Sequence, residues 1–248
     1  MNHEDLLQQA KAFTKDAGYV SVSSLQRKFM IGYQQARQLT DTLIQQGFCE
    51  AKFTPQYGYR IYKQGDKTTM SKIKFEPWIG SKYFTNNRFG LRVLVLGESH
   101  YGDPADYRPE FTTEIVRLLA QENRHAFFTK VSSVLLGLES GKLDDYTRGE
   151  IWEHIAFYNY IQDYVGTQAR ISPTSELWTA AQQPFLYMIT KLSPQVILVL
   201  GKALGSHIPK LPDHIQVCQI VHPSSSHFTY KEANPLFSRA IQQAKIKV

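Results

Sequence analysis

Apolar residues in the first sixty positions recur at the spacing of amphipathic helices. The stripe at residues 6–13 predicts a first helix, because positions three and four apart share one helix face. Ser23 or Ser24 can cap a second helix that runs to Phe29. Residues 33–47 carry a third apolar face and end on a glycine, which is a common helix C-cap. The pattern therefore predicts three helices before residue 48.

Residues 48–62 alternate apolar and polar positions on either side of a Pro-Gln-Tyr-Gly turn. This alternation is typical of a β-hairpin. Three helices followed by a hairpin give the element order of a winged helix, a variant of the helix-turn-helix fold. We therefore predict a small winged-helix domain over residues 1–63.

The pattern changes after this region. Residues 64–74, QGDKTTMSKIK, are polar and predict a linker. From residue 75 to 248, short continuous apolar strands alternate with helices, which predicts an α/β domain. Because such strands are buried on both faces, we expect a three-layer α/β/α arrangement around a four-stranded parallel sheet. The predicted strands are 92–96, 155–158, 196–200 and 216–221, and the predicted helices are 112–121, 125–138, 175–192 and 233–244.

The composition narrows the class of protein. Of 248 residues, 42% are hydrophobic and 20% are charged, which is typical of globular domains and excludes disorder and collagen. No run approaches the roughly 20 apolar residues of a membrane span, so we expect no membrane partner. Two cysteines, Cys49 and Cys218, cannot supply four ligands to an iron–sulfur cluster or a structural zinc site. We expect no metal and no other cofactor.

Two further features concern location and partner. The first residues, MNHEDLLQQAKAF, lack the basic start and apolar block of a secretion signal, so we expect a cytoplasmic protein. The net charge of +6 favours a polyanionic partner.

The third predicted helix carries side chains suited to DNA. In a winged helix it is the helix presented to the major groove. Gln pairs bidentately with adenine and Arg with guanine, so DNA is the predicted partner of this domain. Winged helices that bind other proteins are the alternative that the residues leave open. The candidate base readers are Gln34, Gln35, Arg37 and Gln38.

The run SVSSLQRKFMIGYQQARQLTDTLIQQG resembles the gamma domain of the bacterial DNA translocase FtsK, and the resemblance extends over residues 4–62. It implies a winged helix that reads short chromosomal sequences. The family usually has Arg where this chain has Met30, Gln35 and Gln38, so the family's target sequence is not carried over. The matching positions are Ser24, Gln26, Arg27, Phe29, Ile31, Gly32, Tyr33, Ala36 and Gly47.

In the α/β region, polar motifs follow the predicted strands. Ligands of open parallel sheets bind beyond the carboxyl ends of the strands, so these motifs are the candidates for catalytic and binding residues. The first motif, residues 97–102, reads Gly-Glu-Ser-His-Tyr-Gly. It holds a carboxylate, a hydroxyl, an imidazole and a phenol, more functional groups than a simple reversal needs. A capped loop with one buried salt bridge is the alternative.

Three more motifs follow later strands. Asn159 ends its strand, and its amide can match the edge of a nucleobase, although a strand-end Asn is often a turn former. Gly201 and Lys202 suit either phosphate approach or a tight turn. His222 opens the segment 222–228, His-Pro-Ser-Ser-Ser-His-Phe, whose hydroxyls can engage phosphate oxygens.

The joint order of these four motifs resembles the uracil-DNA glycosylase superfamily, over residues 91–240. By that resemblance, Glu98 corresponds to the acidic residue of a Gly-Glu first motif, Asn159 reads the uracil, and His222 acts on the leaving base. The resemblance implies excision of uracil or another modified base from a nucleotide flipped out of duplex DNA, or from single-stranded DNA.

The glycosylase hypothesis also assigns residues to the base pocket and to DNA contacts, although a Ser replaces the usual Leu of the family's inserting loop. Tyr107 or Phe111 would stack on the flipped base, and Tyr101 would exclude a 5-methyl group. The serines at 224, 225 and 226 would contact phosphates. Phe228 would insert into the duplex in place of the family's usual leucine. The DNA-contacting residues expected in this loop are Ser224, Ser225, Ser226 and Phe228.

The chain also departs from the family. Members with a Gly-Glu motif commonly hold a four-cysteine iron–sulfur cluster, and this chain has only two cysteines. His100 stands where the family usually has Pro. The Gly-Glu-Ser-His-Tyr form therefore defines a divergent branch, in which activity and base preference are open.

Other functions compete with the glycosylase hypothesis. One is a DNA-recognition protein that uses the same fold without cleavage. Another is a GDSL-like hydrolase, in which Ser99 would be the nucleophile and His222 or His227 its base. A metal site from Glu98, His100 and these two histidines has suitable ligand types but no diagnostic spacing.

Overall fold

The computed structural model describes residues 3–45, 48–54, 58–61, 73–139, 142–167 and 171–247. The chain divides into two compact units, Met1–Thr68 and Thr69–Val248. The predicted linker at 64–74 lies outside the described residues up to position 72, and Ile73 and Lys74 belong to the second unit. None of the helices in the described ranges is both long and apolar enough to cross a membrane.

The first unit contains three helices and a three-stranded antiparallel sheet. The helices are α1 (His3–Ala17), α2 (Val22–Phe29) and α3 (Tyr33–Gln45), and the strands are β1 (Tyr19–Val20), β2 (Cys49–Thr54) and β3 (Gly58–Ile61). The strand order is β1-β3-β2, so β2 and β3 form the predicted hairpin. Its core includes Leu6, Leu7, Leu25, Leu39 and Leu43, which are buried.

Two details of this unit differ from the prediction, and one prediction lies outside the described residues. Helix α2 begins after Ser21, two or three residues earlier than expected, because the Ser21 side chain accepts a hydrogen bond from the Ser24 N–H. Strand β1 was not predicted, since two residues are too few to establish an alternation. The predicted cap at Gly47 lies outside the described residues.

The second unit is an α/β fold, as predicted. Its strands are β4 (Trp78–Ile79), β5 (Val93–Gly97), β6 (Ala156–Asn159), β7 (Val196–Leu200) and β8 (Gln216–Ile220). Its α-helices are α4 (Phe111–Val116), α5 (Ala126–Leu136), α6 (Asp145–Glu150), α7 (Ser175–Leu192), α8 (Lys202–His207) and α9 (Tyr230–Ile246).

The sheet has five strands in the order β4-β6-β5-β7-β8. Strands β6, β5, β7 and β8 run parallel, and β4 pairs antiparallel with β6. The four expected parallel strands are present, but the prediction of a four-stranded sheet is wrong because a fifth strand, β4, adds an antiparallel edge. The prediction missed β4 because its two residues, Trp78 and Ile79, give no strand-length pattern.

Alternate residues of each central strand enter two different apolar clusters, as a strand buried on both faces requires. In β5, Val93 and Val95 belong to one cluster, which includes residues of α5 and α9. Leu94 and Leu96 belong to the other, which includes residues of α7. This double burial explains why the sequence shows continuous apolar runs there.

The helices differ from the prediction mainly at their ends. The region predicted as one helix over 112–121 is α4 followed by a π-helical turn, Arg117–Glu122. Helix α9 begins three residues earlier than predicted, because Thr229 caps it by accepting the Glu232 N–H. The short helices α6 and α8 were not predicted.

The four parallel strands share one consequence for function. Their carboxyl ends lie at the same edge of the sheet, since parallel strands point the same way. The segments after Gly97, Asn159, Leu200 and Ile220 therefore meet at one edge.

Candidate functional site

The exposed face of α3 carries the four predicted base readers. Their side chains are exposed, whereas Ala36 and Leu39 on the same helix are buried in the core. Arg37 is held by its neighbour one turn away, since its Nε donates to Asp41 Oδ1 at 3.2 Å. Both side chains are about half exposed, so this pair stabilises the helix little and can open. The exposed readers are Gln34, Gln35, Arg37 and Gln38.

In the second unit, Asn159 fits against Gly97 on the neighbouring strand. The two residues are register partners in the parallel pairing of β5 with β6. A Cβ at position 97 would lie 2.1 Å from Asn159 Oδ1, far inside contact distance. A side chain at position 97 and the observed position of Asn159 are therefore mutually exclusive.

Asn159 is buried but its side-chain amide is unused. Only 5% of the residue is exposed. Its main-chain oxygen accepts a hydrogen bond from Gln162 Nε2 at 2.7 Å, whereas its side-chain amide has no partner in the described part of the chain. A turn-forming Asn would bond nearby backbone with its side chain, and this one does not. No atom of this amide is among the fully buried, unpaired side-chain atoms of the described residues, so solvent reaches it and a ligand can bind there.

Glu98 follows β5 at the same edge. Two hydrogen bonds extend the strand pairing into the loop: the Tyr160 N–H donates to Gly97 O, and the Ile161 N–H donates to Glu98 O, both at 2.9 Å. The Glu98 side chain is half-buried, and this burial raises its pKa, while the nearby His207 opposes the rise. Glu98 has no ion pair among the described residues, which disfavours a loop built around a salt bridge.

His100 is part of an aromatic cluster beneath the first motif. The cluster comprises Phe75, His100, Phe111 and Tyr164, with ring centroids 4.8 Å apart for Phe75 and His100. His100 Nε2 hydrogen-bonds to Thr112 Oγ1 at 2.8 Å. Burial lowers its pKa to about 4, so the ring is neutral. Packed in this way, His100 stabilises the loop of the first motif.

The predicted base-stacking residues lie at different depths. Phe111 is half-buried within the aromatic cluster, and the Arg108 guanidinium lies over its ring. Tyr107 is exposed at the edge of the cluster and donates its hydroxyl to Lys74 O at 2.8 Å. Tyr101 is 37% exposed. Of these rings, Tyr101 and Tyr107 present the more accessible surfaces.

Ser99 lacks the surroundings of a nucleophile. Its Oγ is buried and finds no hydrogen-bond partner within the described ranges. An activated serine needs a base within hydrogen-bonding reach. Neither His222 nor His227 supplies one, which disfavours the hydrolase alternative.

His222 lies beyond β8 with a defined orientation. Its Nδ1 accepts a hydrogen bond from the Ser224 N–H at 3.2 Å. The backbone N–H is a donor, so the neutral ring carries its proton on Nε2. Burial lowers the pKa of His222, and the charge of Lys130 lowers it further. The ring is therefore a neutral donor through Nε2 at pH 7.

The serine-containing loop presents two of its three hydroxyls. Ser224 and Ser226 are exposed, whereas Ser225 is half-buried and its Oγ accepts the His227 N–H at 3.2 Å. Phe228 is partly buried and packs against the core, so insertion into DNA would require the ring to leave this position.

Gly201 makes the turn after β7. Its φ of +130° lies in the region that favours glycine. Its N–H is already engaged by Ile220 O at 3.1 Å, so it is not free for a phosphate. The geometry of Gly201 supports the interpretation of this motif as a tight turn.

Sequence reasoning missed two residues near the site. His207, at the end of α8, stacks on Trp178 with ring centroids 3.9 Å apart and opposes the rise in the pKa of Glu98. Lys130, on α5, donates to Pro223 O at 2.7 Å. Both residues are distant in sequence from the loops that they contact or influence. No local sequence pattern indicates such contacts.

Candidate metal ligands do not come together in this unit. No group of three His, Cys, Asp or Glu residues within the described ranges is arranged to hold an ion. His100, one of the ligands considered for such a site, is instead bonded to Thr112.

Residues 1–52 match the family model of the FtsK gamma domain. The match covers about a fifth of the chain and supports the winged-helix interpretation of the first unit. A search of curated proteins found no match. The resemblance of residues 91–240 to uracil-DNA glycosylases therefore stays a prediction.

Proposed function

We propose that the second unit is a DNA glycosylase that removes uracil or another modified base from a flipped nucleotide by hydrolysis. In this proposal the sheet and its two apolar clusters form the three-layer α/β/α fold expected from the sequence. The reaction uses water and side chains of this chain, and requires no cofactor.

The observation that carries the proposal is the unpaired amide of Asn159. An amide that belongs to a largely buried residue, reaches solvent and has no partner among the described residues is suited to reading the pairing edge of a base, because it offers one acceptor and two donors in a fixed plane. Recognition of this kind penalises the wrong base strongly, since mismatched polar groups stay unpaired in a buried site. Gly97 supports this role by leaving room for Asn159 Oδ1.

Hydrolysis of an N-glycosidic bond develops positive charge on the sugar and negative charge on the departing base. The Glu98 carboxylate would stabilise the sugar cation and orient the attacking water. His222 would stabilise the base anion by donating a hydrogen bond from Nε2. Its neutral state suits this task, because the proton remains on the ring while the anion forms.

DNA is the partner that we infer for the first unit as well. The FtsK gamma domain is a DNA-binding domain, and the match of residues 1–52 is consistent with DNA binding by this chain. The exposed Gln and Arg side chains on α3 support major-groove contact. Binding by this unit would raise the local concentration of DNA for the second unit through tethering.

A second candidate function is DNA recognition without cleavage. It is favoured by the divergence of the first motif, in which His100 packs into the aromatic cluster where the family usually has Pro. The same Asn159 amide would then hold a flipped base without its removal.

A screen with several oligonucleotides separates these functions. The protein is incubated with duplexes and single strands that contain uracil, a mismatch or a phage-type modified base, and alkali then cleaves any abasic site. We expect strand cleavage with at least one modified base and none with the Glu98→Gln variant. Tight binding without cleavage would support the recognition function. Ester hydrolysis that is lost in Ser99→Ala would support the hydrolase.

A further inference from the structure

Helix α5 contacts the 222–228 loop at three positions. Lys130 Nζ donates to Pro223 O at 2.7 Å and lies 5.1 Å from the centre of the Phe228 ring. Phe127, three residues earlier on the same helix, packs its ring 5.5 Å from the ring of His222. Residues three apart share one helix face, so this face of α5 holds the loop at its start and its end.

The loop satisfies several of its backbone N–H groups internally. The Ser225 N–H donates to His222 O at 2.8 Å, and the Phe228 N–H donates to Ser225 O at 3.2 Å. The Ser224 N–H donates to the His222 ring. The Pro223 carbonyl, in contrast, bonds to a side chain from another element. Lys130 is therefore the polar link between the loop and the helix below it.

Lys130 is also the charged group that acts on His222. The turn after β7 faces the imidazole with Gly201, which carries no charge, and α5 faces it with Phe127 as well as Lys130. The nearest loop neighbours, Ser224 and Ser225, are uncharged. A fixed ammonium beside a half-buried imidazole disfavours the imidazolium, because two like charges would share a site of low dielectric constant.

We propose that Lys130 is a positioning residue that holds the 222–228 loop against α5 and sets the electrostatic environment of the His222 ring. The inference deepens the proposed glycosylase function and rests on it for its purpose. Lys130 touches neither the base nor the sugar in this scheme. It acts through His222 and through the geometry of the serine-containing loop.

The test is an NMR titration of the His222 ring in the full-length protein, with the signal assigned from a His222→Gln variant. In Lys130→Met, which keeps the length of the side chain but removes the ammonium, we expect the His222 midpoint to move to higher pH. Lys130→Arg keeps the charge and should restore a midpoint near that of the wild type. Lys231→Met is the matched control, since Lys231 is exposed on α9 and should leave the midpoint unchanged.

Binding of a duplex with an abasic site tests the loop itself. Loss of the Lys130 anchor should weaken this binding by about two- to tenfold, because ordering a released loop costs free energy on association. Lys231→Met should have a smaller effect. Thermal unfolding of each variant shows whether it is folded, and Lys130→Gln, which also lacks the charge, takes the place of Lys130→Met in both measurements if the Met variant is not.

An unchanged His222 midpoint in Lys130→Met would overturn the inference, as would equal shifts in Lys130→Met and Lys231→Met. These outcomes do not depend on catalysis. If the titration shifts as expected but no base is excised, the proposed function fails and the role of Lys130 stands. If bases are excised but the His222 midpoint does not move, the proposed function stands and the role of Lys130 fails.

Discussion

Asn159 Oδ1 occupies the space that a Cβ would need at Gly97, 2.1 Å from the ideal position of that atom. The two residues face each other across the β5–β6 pairing, at the point where both strands end. The glycine is therefore required by its neighbour rather than by a turn. Through this relationship the unpaired amide of a strand-end Asn lies against Gly97, the residue that precedes Glu98.

The contact predicts a double-mutant cycle. Gly97→Ala should destabilise the protein, because the new methyl group overlaps Asn159 Oδ1 and overpacked sites typically lose about 1–3 kcal/mol. In the Asn159→Ala background the nearest remaining atom is Phe157 Cζ at 3.1 Å, so Gly97→Ala should cost clearly less. Chemical denaturation of all four proteins measures the coupling. Equal costs in the two backgrounds would show that Asn159 does not require the glycine.

The raised pKa of Glu98 predicts that the carboxylate needed for function destabilises the folded protein. Burial raises the pKa of Glu98 above its unfolded value, so its ionisation costs native stability. This cost is present at pH values above the folded pKa and disappears below the unfolded pKa. Glu98→Gln should therefore melt at a higher temperature than the wild type at pH 7, with the difference vanishing on acidification. A melting temperature that falls at pH 7 would indicate a stabilising carboxylate.

The contact between Arg37 and Asp41 predicts that Asp41 and DNA compete for the Arg37 guanidinium. Arg37→Ala should weaken duplex binding by about 1–3 kcal/mol if the guanidinium reads a base. Asp41 holds this guanidinium in the free protein, so Asp41→Asn should strengthen binding. The gain should shrink when Arg37 is already Ala, which separates release of Arg37 from a general loss of negative charge. Identical affinities of wild type and Arg37→Ala at several salt concentrations would exclude this role.

Much of the second unit could be predicted because its strands are buried on both faces. Four continuous apolar runs predicted β5 to β8, and the rule for parallel sheets predicted that Glu98, Asn159 and His222 follow strand ends at one edge. Strand β4 could not be predicted, since Trp78 and Ile79 owe their pairing to β6 rather than to any pattern of their own.

The side-chain environments were harder to predict. The sequence indicated that His100 was a functional group of the first motif, and the structure buries it among aromatic rings with Thr112 as its partner. Lys130 and His207 come from helices that are distant in sequence from the loops they influence. Such contacts depend on how α5 and α8 pack, and a local pattern carries no information about that packing.

The most direct test of the central claim is single-turnover excision from a saturating short duplex that carries the base identified by the screen. The wild type should release the base, whereas Glu98→Gln and His222→Gln should each be slower by about 100-fold or more, because each variant removes stabilisation of a charge that develops in the transition state. Both variants should still bind the corresponding abasic duplex. Excision at the wild-type rate by Glu98→Gln, or wild-type protein that binds every duplex and releases no base, would contradict the proposal that these residues form a glycosylase site.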